Sequence, residues 1–293
     1  MASRKYYERL LVVAGIFLIF FVITMLSLPL LLQVLKIDPS SRQGLLLIAV
    51  YQAVVMFICS SLLSARLNSS TPSSYLCLNQ PPSVLGLLGV VFAYLIALPF
   101  LNQIIYWNSN IYFPESLEYW EQIFREMEDS AVAASEKMLD VASVSGLIVN
   151  LLVIALLTAF GEELFFRGTL QTTASSSGAY HTSIWVVALL FSAMHFQVYG
   201  FVPRLLLGAW FGYLLYWTGS IYVPIFAHFL NNGVVVLCTW FTYRGFDFNI
   251  DNFGVVETGF PMPAFISALA FVIFIVFFRN FFFSRIPKTI EYV

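Results

Sequence analysis

Gly161-Glu162-Glu163-Leu164-Phe165-Phe166-Arg167 follows directly on the apolar run 147–160. Hydrocarbon tolerates such residues poorly. A charged side chain at the centre of a membrane helix costs about 2.5–3.5 kcal/mol on insertion scales, so an ionisable group there marks a functional site by default. The surrounding chain leaves no doubt about the solvent. Its 293 residues are 60% hydrophobic, 17% aromatic and only 10% charged, whereas soluble domains carry about 25% charge. This is the composition of a polytopic membrane protein. The formal net charge of −2 says nothing about a partner, but the lack of a basic run speaks against nucleic acid. Cys59, Cys77 and Cys238 are scattered and odd in number, which gives neither a disulfide framework nor a cysteine-rich metal site.

A helix needs about 20 apolar residues to cross a bilayer. On that rule spans fall near 10–35, 44–65, 84–107, 146–166, 183–198, 203–218, 220–241 and 262–283. The expected fold is therefore all-α, a transmembrane helical bundle of about eight spans with an outer amphipathic helix. The first apolar run, after Arg4 and Lys5, is too long for a signal-peptide core of about 7–15 residues and reads as a retained span. Four regions follow: N-terminal membrane helices (1–107), an acidic extracytoplasmic segment (108–145), a helical core that carries the candidate site (146–242), and an outer loop with a C-terminal span (243–293). An even number of spans puts both termini on one side. Arg4, Lys5 and Arg9 at one end, with Arg279, Arg285 and Lys288 at the other, make that side cytoplasmic, as in a bacterial inner membrane; Lys36, Arg42 and Arg204 fall opposite.

The acidic stretch 114–144 repeats Leu117, Trp120, Phe124, Met127 and Ala131 at helical spacing, with Glu115, Glu118, Glu121, Glu126, Glu128 and Asp129 mostly on other faces. It predicts an amphipathic helix that rests its apolar stripe on the bundle or the lipid interface; a second reading has it covering the site.

Glu163 and Arg167, four apart, share one helical face and suit an ion pair. Glu162 points about 100° away and is the carboxylate left free for proton transfer. Phe191-Ser192-Ala193-Met194-His195 and His228-Phe229-Leu230-Asn231-Asn232 put further polar groups on two other apolar segments. Counted along the spans, Glu162, His195 and His228 fall in the cytoplasmic half or near mid-membrane. His181 reads as an ordinary loop residue. A carboxylate, two histidines and an asparagine suit peptide hydrolysis. The carboxylate takes a proton from water, one histidine holds that water, and the other histidine with Asn232 donates to the oxyanion. Glu162, His195 and His228 are also a possible zinc set, although the contiguous HExxH helix is absent, as is a GxSxG elbow. A proton-coupled transporter using Glu162 and His195 as a relay is a further reading.

In order, the motifs EExxxR (Glu162, Glu163, Arg167), FxxxH (Phe191, His195) and HxxxN (His228, Asn232) resemble those of the CPBP family. These CAAX-processing and bacteriocin-processing intramembrane proteases, also called Abi proteins, include the type II CAAX prenyl endopeptidases. The resemblance covers about residues 145–240. It implies an intramembrane endopeptidase in which Glu162 and His195 activate water, His228 and Asn232 stabilise the oxyanion, and Glu163 and Arg167 are structural or orient substrate. It also implies a membrane-embedded or lipid-anchored protein or peptide as substrate, and it admits non-catalytic immunity or scaffold proteins of the same fold. The family has been described both as metalloproteases and as glutamate-dependent. Tightly bound zinc is not expected here. Metal-ligating histidines usually have a carboxylate or carbonyl fixing the second ring nitrogen, the windows around His195 and His228 offer only Ser192 and Asn231 nearby, and Glu163 is already assigned to Arg167.

Overall fold

A computed structural model describes residues 5–246, 250 and 252–283. Arg4, Arg285 and Lys288, which entered the orientation argument, lie outside the described residues. The described chain is all-helical: α1 (Tyr6–Leu35), α2 (Arg42–Asn68), α3 (Val84–Ser109), α4 (Glu118–Leu139), α5 (Val144–Ser175), α6 (Tyr180–Ala193), α7 (Phe201–Thr218), α8 (Tyr222–Tyr243) and α9 (Met262–Phe283). Seven helices are long and apolar enough to cross a membrane: α1, α2, α3, α5, α8, α9 and the segment Val198–Thr218 that contains α7. Pro29 and Pro99 lie inside α1 and α3, where neighbouring helices can satisfy the freed carbonyls.

The fifth expected span needs correction. α6 has 14 residues, about 21 Å at 1.5 Å per residue, short of the ~30 Å hydrocarbon core. The irregular turn 194–200 completes the pass. Irregular backbone at membrane depth is tolerated only where protein buries it or it lines a cavity, and His195 sits in this turn. His181 is correspondingly not a loop residue but lies in the first turn of α6, exposed, with Nδ1 3.1 Å from the Tyr213 hydroxyl. The fourth span is longer than expected, 32 residues rather than the stretch 146–166.

The chain still passes the bundle eight times, and both described ends lie at one face. There the Asn68 amide donates to the Arg9 carbonyl at 3.5 Å, and Ser220 Oγ to the Gln80 carbonyl at 2.6 Å. α9 runs antiparallel to α3, so its end lies near the start of α3: the Phe100 N–H donates to Ser267 Oγ at 3.2 Å, and Gly89 faces Phe278. The opposite face carries α4 and the turn 194–200.

α4 has no buried residue. Trp120 and Met127 of its expected stripe are 52% and 38% exposed, while Phe124 is half-buried with its ring 6.0 Å from Phe113, so only part of the stripe packs against protein and the rest is left to the interface. Ser135, Met138 and Leu139 at its C-terminal end roof a cavity in the bundle. Arg42 holds this end, Nε donating to the Met138 carbonyl at 3.0 Å and Nη2 to Asn150 Oδ1 at 2.7 Å.

Two close approaches lock α5 to α7. Arg167 Nη2 donates to the Gly208 carbonyl at 2.9 Å, and Gln171 Nε2 to the Gly212 carbonyl at 3.0 Å. Each donor and each acceptor is four residues from the next, so one helical face meets another. Small residues permit the approach: a Cβ on Gly208 would lie 3.1 Å from Phe191 Cδ1 and 3.2 Å from Arg167 Nη2. Gly208→Val should therefore destabilise the protein by about 1–3 kcal/mol through overpacking, read as a lower thermal midpoint in detergent. An unchanged midpoint would show that α5 and α7 are not in tight contact.

Candidate active site

α5 carries Glu162 and Glu163 on a short run of ordinary α-turns (Thr158–Glu163) between two stretches wound with wider i→i+5 turns, Leu151–Leu157 and Leu164–Gln171. Such turns recur at functional sites. Thr169 Oγ1 and Thr172 Oγ1 follow the wider winding, donating to the carbonyls of Leu164 and Arg167 five residues back, at 3.0 and 3.1 Å.

The expected ion pair forms. Arg167 Nη1 donates to Glu163 Oε1 at 3.0 Å, and both side chains are fully buried. Glu163 has a second partner that the sequence argument had not given it: His228 Nδ1 lies 2.9 Å from the same oxygen. A carboxylate oxygen only accepts, so Nδ1 carries the proton. The other ring nitrogen, Nε2, faces Glu162 Oε2 at 3.9 Å. With Nδ1–H bonded to Glu163, His228 offers Glu162 an acceptor when its ring is neutral and a donor when it is doubly protonated.

His195 is fixed by the same logic. Its Nδ1 lies 2.8 Å from the Phe191 carbonyl, which can only accept. The neutral ring therefore keeps Nε2 as an acceptor. The carbonyl four residues back sets the tautomer, whatever side chain that position carries. The Phe191 ring has its own task. It meets His195 edge-on at 5.1 Å and His228 at 5.9 Å, and the Arg167 guanidinium lies 4.5 Å from its centre. Phe211 stacks on the other side of His228 at 5.0 Å and 17°.

Glu162, His195 and Asn232 line one cavity of about 390 Å³, with Gln52, Thr158 and the three roof residues of α4. His228 stands behind Glu162 rather than in the lining. Asn232 Nδ2 makes one long bond, 3.4 Å, to the Ile154 carbonyl, and Asn231 Nδ2 donates to Asn232 Oδ1 at 3.2 Å. Glu162 Oε2 is buried without a hydrogen-bond partner.

Two expectations change. The sequence put the site in the cytoplasmic half or near mid-membrane and the acidic segment outside; α4 roofs the cavity, so site and segment share a face, which leaves the mid-membrane placement with access from the side of α4. The argument that the histidines lack partners for a zinc site also fails, because Glu163 and the Phe191 carbonyl fix Nδ1 of both as a metal site would require. The donors themselves do not fit a metal in this arrangement: among the described residues no three His, Cys, Asp or Glu side chains gather closely enough to hold an ion.

Sequence reasoning missed Arg204, Gln197 and Glu128. Arg204 Nη2 donates to Gln197 Oε1 at 2.8 Å, and Gln197 Nε2 to Glu128 Oε1 at 3.2 Å. The signal was present, since Arg204 opens an apolar span just as Glu162 interrupts one, but it had been weighed only for orientation.

Residues 144–234 match the family model described as type II CAAX prenyl endopeptidase Rce1-like. The uncharacterized protein YpbD of Bacillus subtilis (strain 168) is 34% identical over 89 residues, which cover 29% of this chain and 43% of that protein. The chain thus matches less than half the length of this curated relative. No solved structure matches the chain. Over residues 144–234 the chain carries an Rce1-like region, which bears out the resemblance drawn from its three motifs.

Proposed function

We propose that this protein is an intramembrane endopeptidase that hydrolyses a membrane-embedded or lipid-anchored protein or peptide with water activated by Glu162. The observation that carries the reading is the contrast between the two adjacent carboxylates. Glu163 Oε1 is bonded to Arg167 and His228 and its Oε2 is buried in the protein, while Glu162 makes no hydrogen bond among the described residues and lines the cavity, its Oε2 3.9 Å from His228 Nε2. A carboxylate that spends no lone pair on a hydrogen bond, beside a cavity, is free to accept a proton.

The chemistry follows from the ring tautomers. A water in the cavity donates one hydrogen to Glu162 and the other to His195 Nε2. Glu162 takes the first proton as the oxygen attacks the substrate carbonyl, and later returns it to the leaving amine. The oxyanion meets Asn232 Nδ2, while His228, behind Glu162 and outside the cavity lining, acts on Glu162 through Nε2 instead of meeting the oxyanion. Glu163 and Arg167 hold His228 in place and do not touch substrate. Beyond Glu163, away from the cavity, Phe165, Phe166 and Arg167 are buried to 3% exposure or less. Such a plug favours a cavity open to one face, as a hydrolase needs, over the two-sided access of a transporter.

On the same reading the basic ends lie in the cytoplasm, as in a bacterial inner membrane, and the cavity opens to the extracytoplasmic face. Residues 146–242 form the catalytic core, with 1–107 and 243–293 as flanking membrane helices and loop.

Glu162→Gln should leave membrane insertion intact and lower cleavage by about 10²–10⁴-fold, the usual cost of losing a general base. Proteome-wide comparison of cleavage products between wild type and this variant reads the loss and reports the substrate; identical products would refute the role of Glu162. For orientation, Ser135→Cys in a chain whose native cysteines are replaced by alanine should react with a membrane-impermeant thiol reagent added outside intact cells. Labelling only after permeabilisation would reverse the assignment.

A further inference from the structure

The turn that carries His195 has little regular structure of its own. Its neighbour Phe196 adopts φ +54°, a left-handed conformation that a bulky residue resists. The side chain is 69% exposed, so packing does not stabilise this conformation. The His195 and Phe196 N–H groups close the end of α6 on the Ser192 and Ala193 carbonyls at 3.3 and 3.1 Å, and side chains hold the rest of the turn. Asn108 of α3 clamps the far end of the turn, donating to the Val198 carbonyl at 3.0 Å and accepting from the Val202 N–H at 2.7 Å. Next to Phe196 the clamp is Gln197, whose amide is bonded at both ends: it accepts from Arg204 at 2.8 Å and donates to Glu128 at 3.2 Å. Arg204 belongs to the bundle. Glu128 belongs to α4, the helix that roofs the cavity without burying a single residue.

We propose that Gln197 is a positioning residue for His195, and that it does this work only while Glu128 of the roof helix is seated against it. Arg204 Nη2 and Glu128 Oε1 fix the amide from opposite sides, so its oxygen must accept and its nitrogen must donate. The fixed amide holds the strained Phe196, and Phe196 holds His195 at the cavity wall. When α4 lifts, Gln197 loses one of its two anchors and the turn is free to relax. The cavity therefore has a roof whose seating is coupled to the placement of one of its lining groups. The coupling itself is independent of what His195 does; its consequence for hydrolysis rests on the reading given above.

The chain's three histidines allow a test that needs no substrate. Diethyl pyrocarbonate acylates neutral imidazole, and mass spectrometry can follow His181, His195 and His228 separately in the full-length protein in detergent. His181, exposed at the opposite end of α6, is the internal reference. Gln197→Ala and Glu128→Ala should each raise the acylation rate of His195 by about tenfold, the scale of losing one hydrogen bond to a charged group, with His181 unchanged. Glu128→Gln keeps the accepting oxygen and should stay near wild type. Where a cleavage assay exists, Gln197→Ala should lower kcat with little change in KM. An unchanged His195 rate in both alanine variants would overturn the proposal. So would a rise shared by His181, which marks general loosening, or a Glu128→Gln variant that behaves like Glu128→Ala, which would make charge rather than the bond the cause. Absence of any cleavage activity would bear on the hydrolase reading alone.

Discussion

One carboxylate oxygen organises this site. Glu163 Oε1 accepts from Arg167 and from His228 in a region where water does not reach. Removing one partner from a buried pair costs about 3–5 kcal/mol, because it strands the other charge. The bundle therefore has to bring α5 and α8 to one register, and Arg167 extends the constraint to α7 through the Gly208 carbonyl. Phe191 and Phe211 complete the enclosure around His228. The glycines of α7, the aromatic frame and the depth of each pass all serve this contact.

The same contact separates two residues of identical chemistry. Glu162 and Glu163 are adjacent in sequence, but the helix turns them about 100° apart, one toward Arg167 and the other toward the cavity. Environment rather than residue type then divides structural work from proton transfer, a division seen wherever paired carboxylates act in one site. His228 touches both and keeps their spacing.

Much of this was legible in the chain. The spans follow from apolar length, and the Glu163–Arg167 pair follows from a spacing of four in a segment where no charge can stay alone. What could not be read is tertiary. Nothing local to His228 shows that Glu163, on another helix, fixes its ring, so the expectation that its second nitrogen lacks a carboxylate did not hold. Nothing in the periodicity of α4 shows that its end roofs the cavity. Periodicity reports which residues share a face, not what that face meets. The short fifth pass is a related case: 183–198 is apolar enough to look like a span, but the last third of it is the irregular turn that places His195.

The central claim is that Glu163 bears structure while Glu162 is held free of it. Thermal unfolding in detergent of Glu163→Gln beside Glu162→Gln measures this directly. Glu163→Gln leaves Arg167 buried without its counter-charge and should lose on the order of 3–5 kcal/mol, whereas Glu162→Gln replaces a buried carboxylate that makes no hydrogen bond with a neutral amide and should match or exceed wild type. The opposite order, with Glu162→Gln the more damaged, would contradict the account.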